Sequence, residues 1–200
     1  MTSVFEPHSK PYGLSYADWT AKWWQWVLQI PTENNPINDN TGKNCAINQN
    51  GPVWFLAGTG GGSADRTCTV PAGKAILFPV LTTECSYAED TTLTNPAALR
   101  VCAIGSNQGG AVKAEVDGIT LTSLNGYRVQ SPLFNFIFPK SNIFGAKAGP
   151  TQAVSDGWFI ILQPLTLGNH IIHFAGSLIS TPATPKQSYV TQATYHLTIK

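Results

Sequence analysis

Charged side chains are scarce in this 200-residue chain. Asp, Glu, Lys and Arg make up 12% of the residues, about half of the roughly 25% that is usual for a soluble domain. The 12 basic and 11 acidic residues leave a formal net charge of +1, with no basic block, so we expect no nucleic-acid partner. A nearly neutral surface repels other copies only weakly, which favours a homo-oligomer, and it also suits a glycan partner.

Long hydrophobic runs are also absent. No apolar stretch is long enough to cross a bilayer, so we expect no transmembrane segment. The N-terminal sequence MTSVFEPHSKPYG lacks the charged and apolar regions of a signal peptide. If the protein is exported, we expect this chain to be the mature form with an added or retained Met1.

No two of the four cysteines form a C-x-x-C pair, which argues against a zinc knuckle or a thioredoxin-like motif. Cys45, Cys68, Cys85 and Cys102 instead lie in short apolar runs separated by turns. Two disulfides fit this pattern and predict an extracellular or cell-surface location. Of the three possible pairings, we favour Cys45–Cys68 and Cys85–Cys102, because each would tie neighbouring segments together. The alternative is a cytosolic chain with free thiols.

One helix is predicted at residues 15–30, SYADWTAKWWQWVLQI. Ser15 is a good N-cap, Asp18 completes a capping box, and Pro31 ends the helix. The apolar arc exceeds half of the circumference, so we expect the helix to cover the core of the protein, with Trp23 and Trp26 buried. In the alternative interpretation the helix forms an interface with a partner through its tryptophans, Trp19, Trp23, Trp24 and Trp26.

Residues 32–44 form an Asn-rich loop, TENNPINDNTGKN. Asx turns explain this composition without a ligand. Calcium bound by Asp39 and nearby Asn oxygens is the one cofactor that the loop allows, although no EF-hand pattern is present. Elsewhere the sequence predicts no cofactor and no metal site.

The pattern of the remaining residues, 45–200, predicts short strands separated by turns. Asp117-Gly118 is a tight hairpin signal. The predicted strands are Val53–Ala57, Arg66–Val70, Lys74–Leu81, Val112–Val116, Ile119–Leu124, Tyr127–Gln130, Phe134–Phe138, Trp158–Gln163, His170–Phe174 and Tyr189–Ile199. We therefore predict a single all-β domain over 1–200, a disulfide-stapled two-sheet sandwich of jelly-roll or Ig-like type with one N-terminal Trp-rich helix.

Candidate catalytic side chains are few. The acids considered for paired-carboxylate chemistry are Glu84, Glu89, Asp90, Asp117 and Asp156, but their spacing pairs no two of them. The last two precede Gly, which is ordinary turn chemistry. A possible glycan or polysaccharide-lyase site consists of Tyr127, Arg128 and His170. In a lyase these residues would supply the base and the group that neutralises the substrate's charge. His170 and His173 are three apart in a strand and point to opposite faces, so they do not share a metal.

Aromatic side chains offer a further route to glycan binding, because exposed rings stack on sugars. The candidates are Trp19, Trp24, Tyr87 and Tyr127, although core packing is favoured for each. Trp54 and Trp158 lie inside apolar runs and are predicted to be core residues.

Four segments support a resemblance: NCAINQNGPVWFLAGT, CTVPAGKAILFPV, YRVQSPLFNF and VSDGWFIILQPLTLGNHIIHFAG. They resemble an uncharacterised group of exported β-rich proteins from environmental bacteria and archaea. The resemblance covers most of the chain from Tyr12 onward. It implies an exported β-rich domain and brings no activity or site residue.

Together these features predict a non-catalytic, secreted or cell-surface β-sandwich that acts by self-assembly or glycan binding. The alternative is a carbohydrate-active enzyme, a polysaccharide lyase or a glycoside hydrolase, whose catalytic residues the sequence does not identify. A groove lined by clustered ionisable residues with shifted pKa values would favour the enzyme. A large apolar or strand-edge contact between copies would favour assembly.

Overall fold

The computed structural model describes residues 3–178 and 188–200 of the chain. These residues form two α-helices, α1 (Tyr16–Leu28) and α2 (Pro96–Ser106). They also form ten strands: β1 (Val53–Phe55), β2 (Gly62–Val70), β3 (Ala75–Ser86), β4 (Ala111–Val116), β5 (Ile119–Thr120), β6 (Arg128–Gln130), β7 (Phe134–Phe138), β8 (Gly149–Leu162), β9 (Gly168–Leu178) and β10 (Tyr189–Ile199).

The strands make two five-stranded sheets, which confirms the predicted two-sheet sandwich. The first sheet has the order β1-β3-β8-β6, and β7 pairs with another stretch of β8. The second sheet has the order β2-β10-β9-β4-β5. Each sheet contains one parallel pair, β1 with β3 and β2 with β10, beside the antiparallel pairing typical of sandwiches.

The core between the sheets explains the strand patterns. In β10, buried and exposed residues alternate, because one face packs on the first sheet and the other faces solvent. The rings of Phe78, Phe174 and Tyr195 stack in this core, with centroid separations of 4.9 Å and 6.2 Å. Strand β3 is instead continuously buried from Ala75 to Leu81, because both of its faces are covered.

Helix α1 provides the second cover. Its apolar residues pack with Val53, Phe55, Leu77 and Phe159 on the outer face of the first sheet. The predicted capping box is present, because Ser15 Oγ accepts from the Asp18 N–H and the Asp18 carboxylate accepts from the Ser15 N–H. The helix is therefore a layer of the fold, as its wide apolar arc requires.

The predicted N-terminal helix is confirmed, and a second helix that the sequence did not predict, α2, lies between β3 and β4. Its N-cap Asn95 accepts from the Ala98 N–H at 3.0 Å, and Pro96 occupies the first turn. Only Leu99 and Ala103 are buried in this helix. This narrow apolar face is why hydrophobic periodicity did not reveal it.

Two Asp-Gly pairs have different outcomes. Asp117-Gly118 forms the predicted turn between β4 and β5, with both residues at positive φ. Asp156-Gly157 was interpreted as a turn, and this is wrong, because both residues lie inside β8. Gly157 is needed there for close packing: a Cβ atom would lie 2.4 Å from the carbonyl oxygen of Leu81.

Candidate functional site

A cleft of about 830 Å³ opens where the C-terminal half of β3 emerges beside α1. Its aromatic lining comes from Trp24, Phe144 and Tyr189. Its polar lining includes Asn38, Thr59, Thr82, Thr83, Ser106, Glu84 and Glu89. The volume lies within the range of about 300–1,000 Å³ that is typical of small-molecule pockets.

Strand geometry places the acids in this cleft. Successive strand residues point to opposite faces, so Thr82, Glu84 and Ser86 share the face of β3 that is turned towards α1. The indole N–H of Trp24 donates to Thr82 Oγ1 at 3.3 Å. The chain turns after Ser86, and Ser86 Oγ donates to Glu89 Oε2 at 2.6 Å. This bond holds the exposed Glu89 beside the end of the strand.

Glu84 is the unusual member of this group. Its side chain is 5% exposed, and among the described residues no donor is in hydrogen-bond geometry with either carboxyl oxygen. Ser155 is its cross-strand neighbour in β8, and the buried Ser155 Oγ also lacks a partner there. Buried polar groups without a partner are rare in native proteins, so each needs an explanation.

Two effects raise the pKa of Glu84 well above its usual range. The larger is burial, and the second is the neighbouring Glu89 carboxyl, through hydrogen bonding and charge. Both favour the protonated form. A protonated Glu84 beside a Glu89 carboxylate can donate a hydrogen bond, accept one, and exchange a proton with a bound group. None of the described residues that line the cleft is Lys or Arg.

A polar network supports the other side of β3. Thr83 Oγ1 donates to Asn107 Oδ1 at 3.2 Å, and Asn107 Nδ2 donates to the carbonyl of Asp156 at 2.5 Å. The buried Asp156 carboxylate pairs with Arg128 at 2.7 Å. The Arg128 guanidinium also lies 4.8 Å from the centroid of the Trp158 ring. Arg128 is therefore occupied by partners that fix β8 and the end of α2.

The structure does not assemble the predicted Tyr127–Arg128–His170 site. His170 belongs to the second sheet, where Nδ1 lies 2.7 Å from Asp117 Oδ2 and Nε2 lies 3.0 Å from the carbonyl oxygen of Thr166. Tyr127 packs edge-on against Tyr16. In the described part of the chain, these groups share no hydrogen-bond partner with Arg128, so they do not form a base and charge-neutraliser pair.

The helix tryptophans lie inside the chain. Trp19, Trp23, Trp24 and Trp26 are between 1% and 8% exposed. Three of their indole N–H groups donate to backbone carbonyls at 2.9 Å, in Pro11, Leu56 and Ile47. Most of their surface is therefore packed within the protein, and of the four only Trp24 lines the cleft. Trp54 and Trp158 are buried, as predicted.

The Asn-rich loop is organised by Asp39. Asp39 Oδ1 accepts from the Thr41 N–H at 2.9 Å, and Oδ2 accepts from the Asn44 N–H at 2.8 Å. Burial opposes ionisation of Asp39, but these hydrogen bonds outweigh it and lower the pKa. The carboxylate thus organises the Asx turns of the loop. Among residues 3–178 and 188–200, no group of three or more His, Cys, Asp or Glu side chains is arranged so that it could hold a metal ion.

All four cysteines are paired, in the favoured arrangement of Cys45–Cys68 and Cys85–Cys102. The second disulfide ties β3 to α2 directly beside Glu84. The Glu84–Glu89 pair itself was missed from the sequence because the predicted strand ended at Leu81. An extension of the continuously apolar strand to Cys85 would have placed Glu84 within a strand that is covered on both faces, and a buried acid is a signal for function.

No helix within the described residues is long and apolar enough to span a membrane.

No protein-family model matches the chain, and a comparison with curated proteins also finds no match. Among solved structures, the chain is similar to the cysteine protease inhibitor EhICP2 from Entamoeba histolytica, with 17% identity over 73% of this chain and 94% of that chain. It is also similar to Amebosin, with 14% identity over 74% of this chain and 99% of that chain. The TM-scores are 0.26 and 0.23, so these neighbours carry no functional argument.

Proposed function

We propose that this protein is a secreted or cell-surface β-sandwich that binds a glycan in the cleft above Glu84. The observation that carries the proposal is the combination of rings and hydrogen-bonding groups in one cleft. Phe144 is 45% exposed and Tyr189 is half-buried, so both offer ring surface to a ligand. Sugar rings stack on such surfaces while their hydroxyls bond to polar groups.

The polar lining matches a polyhydroxylated ligand. The hydroxyl oxygens of Thr59, Thr83 and Ser106 line the cleft and can accept from a ligand, although their own hydrogens are already used within the protein, as in the bonds from Thr83 to Asn107 and from Ser106 to the Cys102 carbonyl. A protonated Glu84 can both donate and accept, and the Asn38 amide supplies both a donor and an acceptor. A ligand with many hydroxyls can use such groups whichever way each hydrogen points.

The location outside the cell rests on the disulfides. Both pairs are formed and no thiol is free, and such bonds persist in oxidising compartments. The resemblance to exported β-rich proteins leads to the same location.

A carbohydrate-active enzyme is the second candidate, because the raised pKa of Glu84 is typical of a general acid. The arrangement of the acids weighs against it. Glycoside hydrolases separate their two carboxyl groups by about 5 Å or more, whereas Glu84 and Glu89 are near enough to interact through a proton. If polysaccharides incubated with the protein yield neither new reducing ends nor unsaturated products, the hypothesis of a carbohydrate-active enzyme is refuted.

The glycan proposal is tested on a glycan array with the intact, oxidised protein. Phe144→Ala should weaken binding at least tenfold, because it removes a stacking surface from the cleft. Tyr12→Ala is the matched control, since Tyr12 is a ring of similar exposure, 47%, that does not line this cleft. Equal losses in both variants would place binding elsewhere, and a protein that binds no glycan would refute the proposal.

A further inference from the structure

The cleft is acidic, although the protein as a whole is nearly neutral. It holds Glu84 and Glu89, and no Lys or Arg is among its described lining residues. The Ser86 hydroxyl is the one side-chain donor directed at this pair in the described part of the chain. A ligand that brought further negative charge would be repelled, whereas a cation would be attracted.

The buried oxygens identify what the ligand must supply. No N–H or O–H donor among the described residues reaches the buried atoms Glu84 Oε1, Glu84 Oε2 and Ser155 Oγ; Glu84 lines the cleft, and the group it interacts with there is the Glu89 carboxyl. An ammonium group offers three N–H donors and a positive charge, whereas a sugar hydroxyl offers one donor and no charge. Hydrogen bonds between charged groups are roughly twice as strong as neutral ones.

The aromatic lining fits the same cation. Phe144 and Tyr189 stand at the cleft, and ring faces attract an ammonium group within about 6 Å. A metal ion fits less well. Calcium takes six to eight oxygen ligands, and no group of three or more His, Cys, Asp or Glu side chains that could hold a metal ion occurs among the described residues.

We propose that the cleft recognises an amino sugar, that is, a glycan whose hexosamine units carry free amines, and that one ammonium group binds between Glu84 and Glu89. This inference rests on the proposed glycan-binding function and names the class of glycan. Neighbouring sugar hydroxyls bond to Thr83 and Ser106, and a ring face packs on Phe144.

Binding should release a proton. Burial and the Glu89 carboxyl raise the pKa of Glu84 and therefore favour its protonated form in the free protein. The ammonium group reverses this preference, so Glu84 ionises and its proton passes to solvent while the ammonium keeps its own. Thr82 and Ser86 on the strand of Glu84, its cross-strand neighbour Ser155 and the cleft residue Trp24 carry no group that titrates in this range. Arg100 of α2, which donates to the Ser155 carbonyl at 3.1 Å, is a permanent cation. Affinity should therefore fall as the pH is lowered.

The test compares two ligands of equal length by calorimetry, a β-linked glucosamine tetramer and its fully N-acetylated form. The glucosamine tetramer should bind the wild-type protein at least tenfold more tightly at neutral pH. Its observed enthalpy should vary with the ionisation enthalpy of the buffer, which reports the released proton. Glu84→Gln and Glu89→Gln should each remove this preference. Glu115→Gln, on the second sheet, should leave it unchanged.

The two amide variants keep the test falsifiable. Glu84→Gln replaces a protonated carboxyl by a neutral amide of similar size, and Glu89 is exposed, so we expect both variants to fold. Equal affinity for the two tetramers would overturn the amino-sugar inference and leave glycan binding intact. Binding on the array only to glycans without free amines would have the same two consequences. Binding of no glycan would overturn both proposals. A preference that persists in both amide variants, or that disappears with a chelator, would overturn the assignment to this carboxyl pair.

Discussion

Replacing Trp23 by Ala should remove the largest fully buried side chain of the fold. Its indole packs against Trp24, Trp26 and Phe159, with ring centroids 4.9, 6.2 and 5.8 Å away. Its N–H group donates to the carbonyl of Leu56 at 2.9 Å. The substitution therefore creates a cavity between α1 and the first sheet, and it also leaves a buried carbonyl without its donor.

These two effects set the expected magnitude. Truncation of a buried Trp costs about 3–5 kcal/mol, and a buried acceptor without a partner costs about 1–3 kcal/mol. Part of the second cost is already contained in the first, so we expect a loss of about 4–5 kcal/mol in the free energy of unfolding. Domains have only about 5–15 kcal/mol in total, so the variant should be close to its stability limit.

The assay is urea unfolding followed by circular dichroism, with both disulfides intact. For a slope of about 2 kcal/mol per molar urea, the midpoint should fall by about 2 M. Lys22→Ala is the matched control, because Lys22 lies on the exposed side of the same helix, and it should change stability by less than about 0.5 kcal/mol. A loss below about 1 kcal/mol for Trp23→Ala, with assembly or binding abolished, would show that α1 is an interface and refute the packing described above.

Four further predictions concern other parts of the fold. Arg66 is buried and donates to four backbone carbonyls and to a tyrosine hydroxyl, so Arg66→Met should cost about 3–5 kcal/mol in urea unfolding, whereas Lys113→Met should be neutral. Changing both Cys85 and Cys102 to Ser opens a loop of sequence separation 17 and should lower the unfolding free energy by about 3 kcal/mol, and an unchanged midpoint would contradict this. The pKa of Glu84 is raised in the folded state, so the stability that the protonated carboxyl contributes is complete below its ordinary pKa and is lost as the pH rises through the folded-state pKa. Glu84→Gln should therefore gain stability relative to wild type with rising pH. Parallel profiles of unfolding free energy against pH for the two proteins would contradict this prediction. The self-association predicted from the low charge should appear in light scattering across a concentration series and should change little with salt, and a strict monomer at high concentration would remove it.

The elements with strong local signals were predictable. The capping box at Ser15, the wide apolar arc of α1 and the alternation in β10 each reflect interactions between residues close in sequence. Helix α2 gave a weaker signal, because only two of its residues face the core. The predicted strand at Trp158–Gln163 was shorter than β8, because the Asp156-Gly157 pair in the sequence resembles a turn. The structure shows that Gly157 is instead required by the close approach of Leu81.

The candidate site depends on contacts that no local pattern contains. Glu84 and Glu89 are brought together by the turn after Ser86. The burial of Glu84 depends on β8 beside it and on the cover that α1 adds to the sheet. For His170, the sequence suggested a catalytic role that the structure does not support. Its imidazole is already paired with Asp117 on the second sheet.

The position of β10 affects how the chain can fold. This strand lies between β2 and β9, and its Tyr195 is paired with Arg66, 129 residues earlier. The second sheet therefore cannot close until β10 has been synthesised. Before that point, β2 and β9 each present an unpaired edge that is open to wrong partners. Pairing at such sequence separation is slow, because the loop must close before the contact is gained. We therefore expect the second sheet to form in one late step, once β10 is available, rather than in stages as β2, β4 and β9 appear.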